Sequence, residues 1–183
     1  MRDIQKDILN FWFVETAPSQ YFQTNEDFDN AIRVRFGDTY QWAKDGLYDA
    51  WMRTEDGCLA LCILLDQFPR NMFRGKPQAF DTDLKARFVA RHALKRGYDQ
   101  LFIPLKRRFL YLPFEHSELF DDQKLSVSLF ESMKDDDPIG YDYALRHLKV
   151  IETFGRFPHR NAILGRTSTV DEDRYLSAPG AGF

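Results

Sequence analysis

Residues 58–65 read CLALCILL, eight apolar side chains without a break. Thr54 before them is a good helix N-cap, and Pro69 after them reads as the stop. A helix over 54–67 would therefore be apolar around its whole circumference. Such a helix has no face to give to water, so it must lie in the centre of the fold with other elements packed on every side. Asp66 follows the run directly and projects between Leu59 and Cys62. A carboxylate there needs a cation, and Arg70 stands four residues on.

The rest of the chain supplies helices to do the packing. It contains 19 Leu against 6 Val, and no segment alternates polar and apolar residues over two positions. Start and stop signals predict helices over 3–14, 25–44, 47–52, 54–67, 81–97, 104–111, 118–134, 138–154 and 170–176. Asn25, Ser117 and a capping box formed by Thr169 and Glu172 mark three of the starts. Antiparallel pairs joined by short loops suggest a bundle or a solenoid-like stack. No linker or low-complexity stretch divides residues 1–183, which read as a single all-α domain. Seventeen Phe among 183 residues call for a thick aromatic core.

Charge and composition narrow the partners. A net charge of −3 gives no reason to expect nucleic acid or an anionic membrane. No apolar run approaches the roughly 20 residues of a membrane span. Cys58 and Cys62 have no Cys or His neighbours that would complete a zinc set, and free buried thiols fit a cytoplasmic location. No metal and no cofactor is expected.

Polar residues on apolar faces point to a site. In helix 138–154, Glu152 falls among Tyr141, Ala144, Leu145, Leu148 and Ile151. His147 falls among Tyr143, Val150 and Phe154. An unpaired buried charge costs several kcal/mol, so Glu152 predicts an Arg partner and His147 a hydrogen-bond partner. On helix 118–134, Gln123 lies on the side of Leu119, Phe120, Val127 and Phe130.

Two loops repeat one phrase, FPRNMFRG at 68–75 and FGRFPHRN at 154–161. Each follows a helix that ends in an acid and an aromatic residue. In one reading Arg and acid pair there and fasten helix ends, with Asp66 and Glu152 as structural ion-pair partners. In the other, Arg70, Arg74, Arg156, Arg160 and Arg166 converge with His116, His147 and His159. That would form a cationic pocket for a carboxylate, a phosphate or a peptide terminus. An enzyme acting on a small anionic substrate would then use His116 or His147 as general base, with Glu118 beside them.

The segments LLDQFPRNMFRG (64–75), AFDTD (79–83), PFEHSE (113–118) and FGRFPHRNAILGRTST (154–169) closely resemble the hallmarks of a bacterial family of unknown function, DUF924. The likeness runs from ILNFWF at 8–13 to PGAGF at 179–183. It implies an all-helical fold similar to tetratricopeptide-repeat proteins, a stack of about eight antiparallel helices. It implies no activity. The reading that results is a helical scaffold binding a peptide or small anionic ligand, with the enzyme and the purely structural roles as alternatives.

Overall fold

The computed structural model describes residues 3–182; Phe183, the last letter of PGAGF, lies outside them. The described residues form helices and connecting turns, with no strand among them. The helices are α1 (Ile4–Asn10), α2 (Glu26–Lys44), α3 (Glu55–Cys62), α4 (Phe68–Met72), α5 (Asp83–Lys95), α6 (Pro104–Glu115), α7 (Phe120–Glu131), α8 (Pro138–Phe154) and α9 (Val170–Leu176). They fall into two compact units. Of the described residues, the first comprises those up to 74 and 78–113, the second 75–77 and those from 114 on. Besides the short excursion at 75–77, the chain passes between them inside α6, at Pro113, whose missing N–H leaves a gap in the helical ladder there.

The first unit is organised around α3, where Cys58 to Leu65 are all fully buried, as an all-round apolar helix requires. Contacts from α1 and α5 cover it. Aromatic rings fill the surrounding space. Trp12 stacks on Tyr21 at 4.9 Å and meets Phe109 edge-on at 5.5 Å, while Phe36 lies 4.9 Å from Phe68. Offset and edge-to-face pairs of this kind add to what burial alone contributes.

Pro69 does not end the central helix. After Cys62 the chain widens into a π-helical turn, Ile63–Gln67, and continues as α4 through Met72. Proline has no N–H for the carbonyl four residues before it, which is that of Leu65. The Thr82 hydroxyl donates to that carbonyl at 2.6 Å instead. The next carbonyl, of Asp66, accepts from Arg70 Nη1, also at 2.6 Å. Side chains thus supply the donors that the wider turn lacks.

In the second unit α7 packs on α8, joined by the short turn at 132–137. The Asp137 side chain caps α8 by accepting from Gly140 N–H, and Gly155 ends it with φ +69. Two expectations on α7 need correction. Leu119, not Ser117, is its N-cap, and Leu119 and Phe120 are exposed. Its buried face is Asp122, Gln123, Ser126 and Phe130, three of them polar. The reason is the neighbouring end of α6, which continues to Glu115 rather than stopping near 111. The Gln123 amide donates to the carbonyls of Glu115 at 2.7 Å and Ser117 at 2.6 Å, and Asp122 accepts from the Ser117 hydroxyl at 2.7 Å. A helix C-terminus leaves unpaired carbonyls, and α7 turns a polar face toward them.

Glu152 is also a correction. It is exposed and lies 3.8 Å from Lys149, with its side chain 43% accessible. The buried side of α8 is Gly140, Ala144, His147, Val150 and Ile151. Leu145 is exposed, so the apolar stripe that would have enclosed Glu152 is narrower than the letters suggest. The pair is a surface one and contributes little.

Candidate functional site

The two loop phrases fall in different units, and each is bound to acids of its own unit. In the first, Arg70 forms a forked pair with Asp83, at 3.0 and 3.2 Å, and lies 3.1 Å from the fully buried carboxylate of Asp66. Gln67 donates to the other Asp66 oxygen at 2.6 Å. Arg74 forms a second fork with Asp29, at 2.8 and 3.0 Å, and Asn71 donates to the same carboxylate at 2.7 Å. Burial pushes the Asp29 carboxyl up, but Arg74 and Asn71 outweigh it and the net shift is downward.

The second phrase is held by two more forks. Arg166 spans both oxygens of Glu118, at 2.8 and 3.0 Å. The same two residues grip the backbone of Phe157: its N–H donates to Glu118 at 2.8 Å, and its carbonyl accepts from Arg166 at 3.0 Å. Asn161 braces Arg166 by accepting from its Nε at 3.0 Å. Burial raises the Glu118 pKa, but the bonds from Arg166 and from the Phe157 N–H bring it below the ordinary value. Both Glu118 oxygens are thereby engaged by Arg166 and the Phe157 N–H.

Arg156 forms the fourth fork, with Glu172 at 2.6 and 2.7 Å, and Thr167 takes a further bond. Glu172 also closes the capping box of α9 with Thr169. The hydrogen bond from Arg156 is the main reason that the Glu172 pKa falls from 4.5 to about 2. Burial opposes the shift; the Thr169 N–H, the Arg156 charge and the Asn161 side chain reinforce it. A depressed carboxyl stabilises the fold above its unfolded pKa and loses that contribution as pH falls through the folded value. Wild-type stability should therefore drop between about pH 4.5 and 2. Glu172→Gln should flatten that acid limb in urea melts taken across the window, and an unchanged limb would show that other carboxyls set it.

A different environment surrounds the side chain of Phe157. The His147 ring meets it edge-on at 5.5 Å, the His159 ring lies 5.5 Å away, and the Arg160 guanidinium stacks 4.7 Å from its centre. His116 is 6.4 Å from His147, and its carbonyl accepts from Arg160 at 3.0 Å. Glu115 stands 3.6 Å from His147 Nδ1. His147 Nδ1 is 2.8 Å from the Tyr143 carbonyl, which can only accept, so this nitrogen carries the hydrogen and Nε2 holds the lone pair. Burial pulls the His147 pKa down to about 3, against the Tyr143 bond and with help from His116, Arg160 and His159. Burial likewise lowers His159 to about 4. His116 and His159 are half-buried, while His147 and Arg160 are buried.

Of the residues expected at a site, the second unit brings together His116, His147, His159 and Arg160, with Arg166 and Glu118 in the supporting clasp. Arg156 is engaged with Glu172, and Arg70 and Arg74 belong to ion pairs of the first unit. Asp29, Asp83 and Glu172 complete three of the forks but do not appear among the expected partners. Asp29 was findable, since it shares a stripe with Ile32 and Phe36 at helical spacing. Among the described residues no three His, Cys, Asp or Glu side chains are placed to hold a metal ion, and no helix is long and apolar enough to cross a membrane.

Fold and site together define an all-helical protein whose loops are fastened by arginine–carboxylate forks, with a histidine cluster in the second unit. Residues 8–180 match the model of the family described as bacterial protein of unknown function, DUF924, and the chain belongs to that family. The chain is similar to the solved structure of a protein of unknown function from Agrobacterium tumefaciens. The two are 39% identical with a TM-score of 0.91, over 95% of this chain and 97% of that one. No curated protein matches.

Proposed function

We propose that the protein is a helical binding domain whose second unit receives a small anion, a carboxylate or phosphate, on the face formed by His116, His159 and Arg160 with His147 behind them. The observation that carries this reading is the gathering of two imidazoles, His147 and His159, and the Arg160 guanidinium on the single ring of Phe157, with His116 beside His147. Burial and mutual repulsion keep His147 and His159 uncharged at neutral pH. An arriving anion would favour their charged forms, so binding takes up protons and tightens as pH falls. The half-buried rings of His116 and His159 offer the first contacts.

The Nδ1–H bond from His147 to Tyr143 supports a second reading, a general base acting through Nε2. Binding ranks above it because a base with a pKa of about 3 is poorly matched to work near neutrality.

Sulfate tests the proposal, since its charge is constant over the pH range needed. Titration calorimetry should detect sulfate binding at pH 5 and weaker binding at pH 8. His159→Gln and Arg160→Gln should abolish the signal while the melting midpoint of the free protein stays within a few degrees. At a hundredfold excess over Kd, sulfate should stabilise the wild type by about 2.7 kcal/mol. No heat and no rise in midpoint at pH 5 would end the anion reading.

A further inference from the structure

We propose that the first unit carries a docking ledge for an arginine side chain of a partner protein, formed by Trp42, Tyr48 and Trp51 with the carboxylates of Asp38 and Asp45. The inference is independent of the anion site. After Lys44, the last residue of α2, Gly46 takes φ +91 and turns the chain back. Leu47 N–H donates to the Trp42 carbonyl at 3.0 Å, and Trp51 N–H donates to that of Tyr48 at 2.9 Å. The turn brings the Tyr48 ring to Trp42, with 6.4 Å between centres and the planes at 80°, and Trp51 stacks on Tyr48 at 4.2 Å. Lys85 fixes this arrangement from α5: its Nζ donates to the Ala43 carbonyl at 2.8 Å and pairs with Asp49 at 2.8 Å. Two of the chain's three Trp thus stand at one surface, and Trp42 is 44% accessible.

Other exposed rings of this protein are covered by its own basic side chains. Arg108 lies over Phe22, Lys124 over Phe120 and Arg146 over Tyr143, at 5.7, 4.8 and 5.4 Å. Among the described residues no Lys or Arg lies over Trp42, Tyr48 or Trp51. Arg53, close by in sequence, turns its Nε to the Ala50 carbonyl instead. The neighbours of the indole on α2 are acidic. Asp38 lies one turn before Trp42 and Asp45 one turn after it, so both carboxylates flank the ring on one helix face. Both are exposed, and among the described residues neither forms an ion pair. The face of an aromatic ring attracts a cation, that of indole most of all, and a carboxylate beside it attracts the same charge. Arginine uses both at once. Its planar guanidinium stacks on a ring and forks to a carboxylate, whereas a lysine ammonium is a compact, strongly hydrated charge. The exposed Leu47 adds apolar surface for the aliphatic stem.

The test follows the indole N–H signals of the isotope-labelled full chain by NMR, with Trp42→Phe to identify one of them. The probe is the peptide acetyl-Gly-Arg-Gly-amide, and its Lys counterpart is the comparison. The Arg peptide should shift the Trp42 and Trp51 signals to saturation and leave that of the fully buried Trp12 unmoved. The Lys peptide should bind at least about threefold more weakly, and Trp42→Ala, read at Trp51, should weaken the Arg peptide by at least about threefold. Asp38→Asn combined with Asp45→Asn changes two exposed side chains and should weaken it as well. A Trp12 signal at its wild-type position shows that each variant keeps its core. No saturable shift in the wild type would overturn the proposal. So would equal affinity for the two peptides, or undiminished affinity in Trp42→Ala or in the doubly neutralised variant. Tighter binding of tetramethylammonium than of the Arg peptide would replace the partner protein by a small cation. A Trp42 signal that moves with protein concentration alone would put a second copy of the chain on the ledge, and the proposal would fail.

Discussion

Phe157→Ala should lower the unfolding free energy by about 3–5 kcal/mol, the range for deleting a fully buried aromatic ring. Phe157 has no accessible surface and carries His147, His159 and Arg160 on its ring. The substitution leaves the backbone bonds to Glu118 and Arg166 in place. The loss therefore reports packing alone, separate from the clasp. Phe157→Leu keeps most of the volume and should cost clearly less than Phe157→Ala. Urea denaturation followed by far-ultraviolet circular dichroism gives both values. A loss below about 1 kcal/mol for the alanine variant would place Phe157 outside the cooperative core.

That result bears on why eight specialised residues occupy the loop FGRFPHRN. Gly155 ends α8 in the left-handed region. Arg156 runs to Glu172, and Phe157 is the plug, clasped through its backbone. His159 and Arg160 flank the ring, and Asn161 braces Arg166. Fastening and the proposed anion site use the same few residues, and the division between them runs through Phe157. Its backbone belongs to the Glu118–Arg166 clasp, and its ring belongs to the histidines.

Much of this was legible in the letters, for identifiable reasons. The capping signals at Asn25, Thr54 and Thr169 act within one turn, so α2, α3 and α9 begin where the sequence places them. The inward direction of His147 follows from helical spacing and is observed. Errors arose where a distant side chain settled a local conflict. Pro69 reads as a stop until Thr82 is brought to the Leu65 carbonyl. Ser117 reads as a helix cap until its hydroxyl is seen donating to Asp122. Glu152 reads as buried because Leu145 and Tyr141 suggest a wider apolar face than α8 has. Arg–acid pairing was expected, but which acid meets which Arg depends on contacts tens of residues apart in sequence, as with Asp29 and Arg74.

Asp66→Ala should cost about 3–5 kcal/mol, the range for removing one partner of a buried ion pair. The Asp66 side chain has no accessible surface and lies 3.1 Å from Arg70, whose own side chain is 21% accessible. Without it Arg70 retains Asp83 and the Asp66 carbonyl, but the Gln67 amide loses its carboxylate acceptor. The cost is a desolvation cost, not the net worth of the pair. Asp66→Asn separates the two, since it keeps the shape and an acceptor for Gln67 while removing the charge. It should cost measurably less than Asp66→Ala. The triple variant Asp66→Leu, Arg70→Met, Asp83→Asn removes the pair together with the second acid that Arg70 grips, and should recover much of the loss. Chemical denaturation of the three variants provides the check. If Asp66→Ala melts like wild type, the carboxylate contributes nothing to the central helix. If the triple variant is as unstable as Asp66→Ala, the charged set itself holds the π-helical turn at 63–67 together.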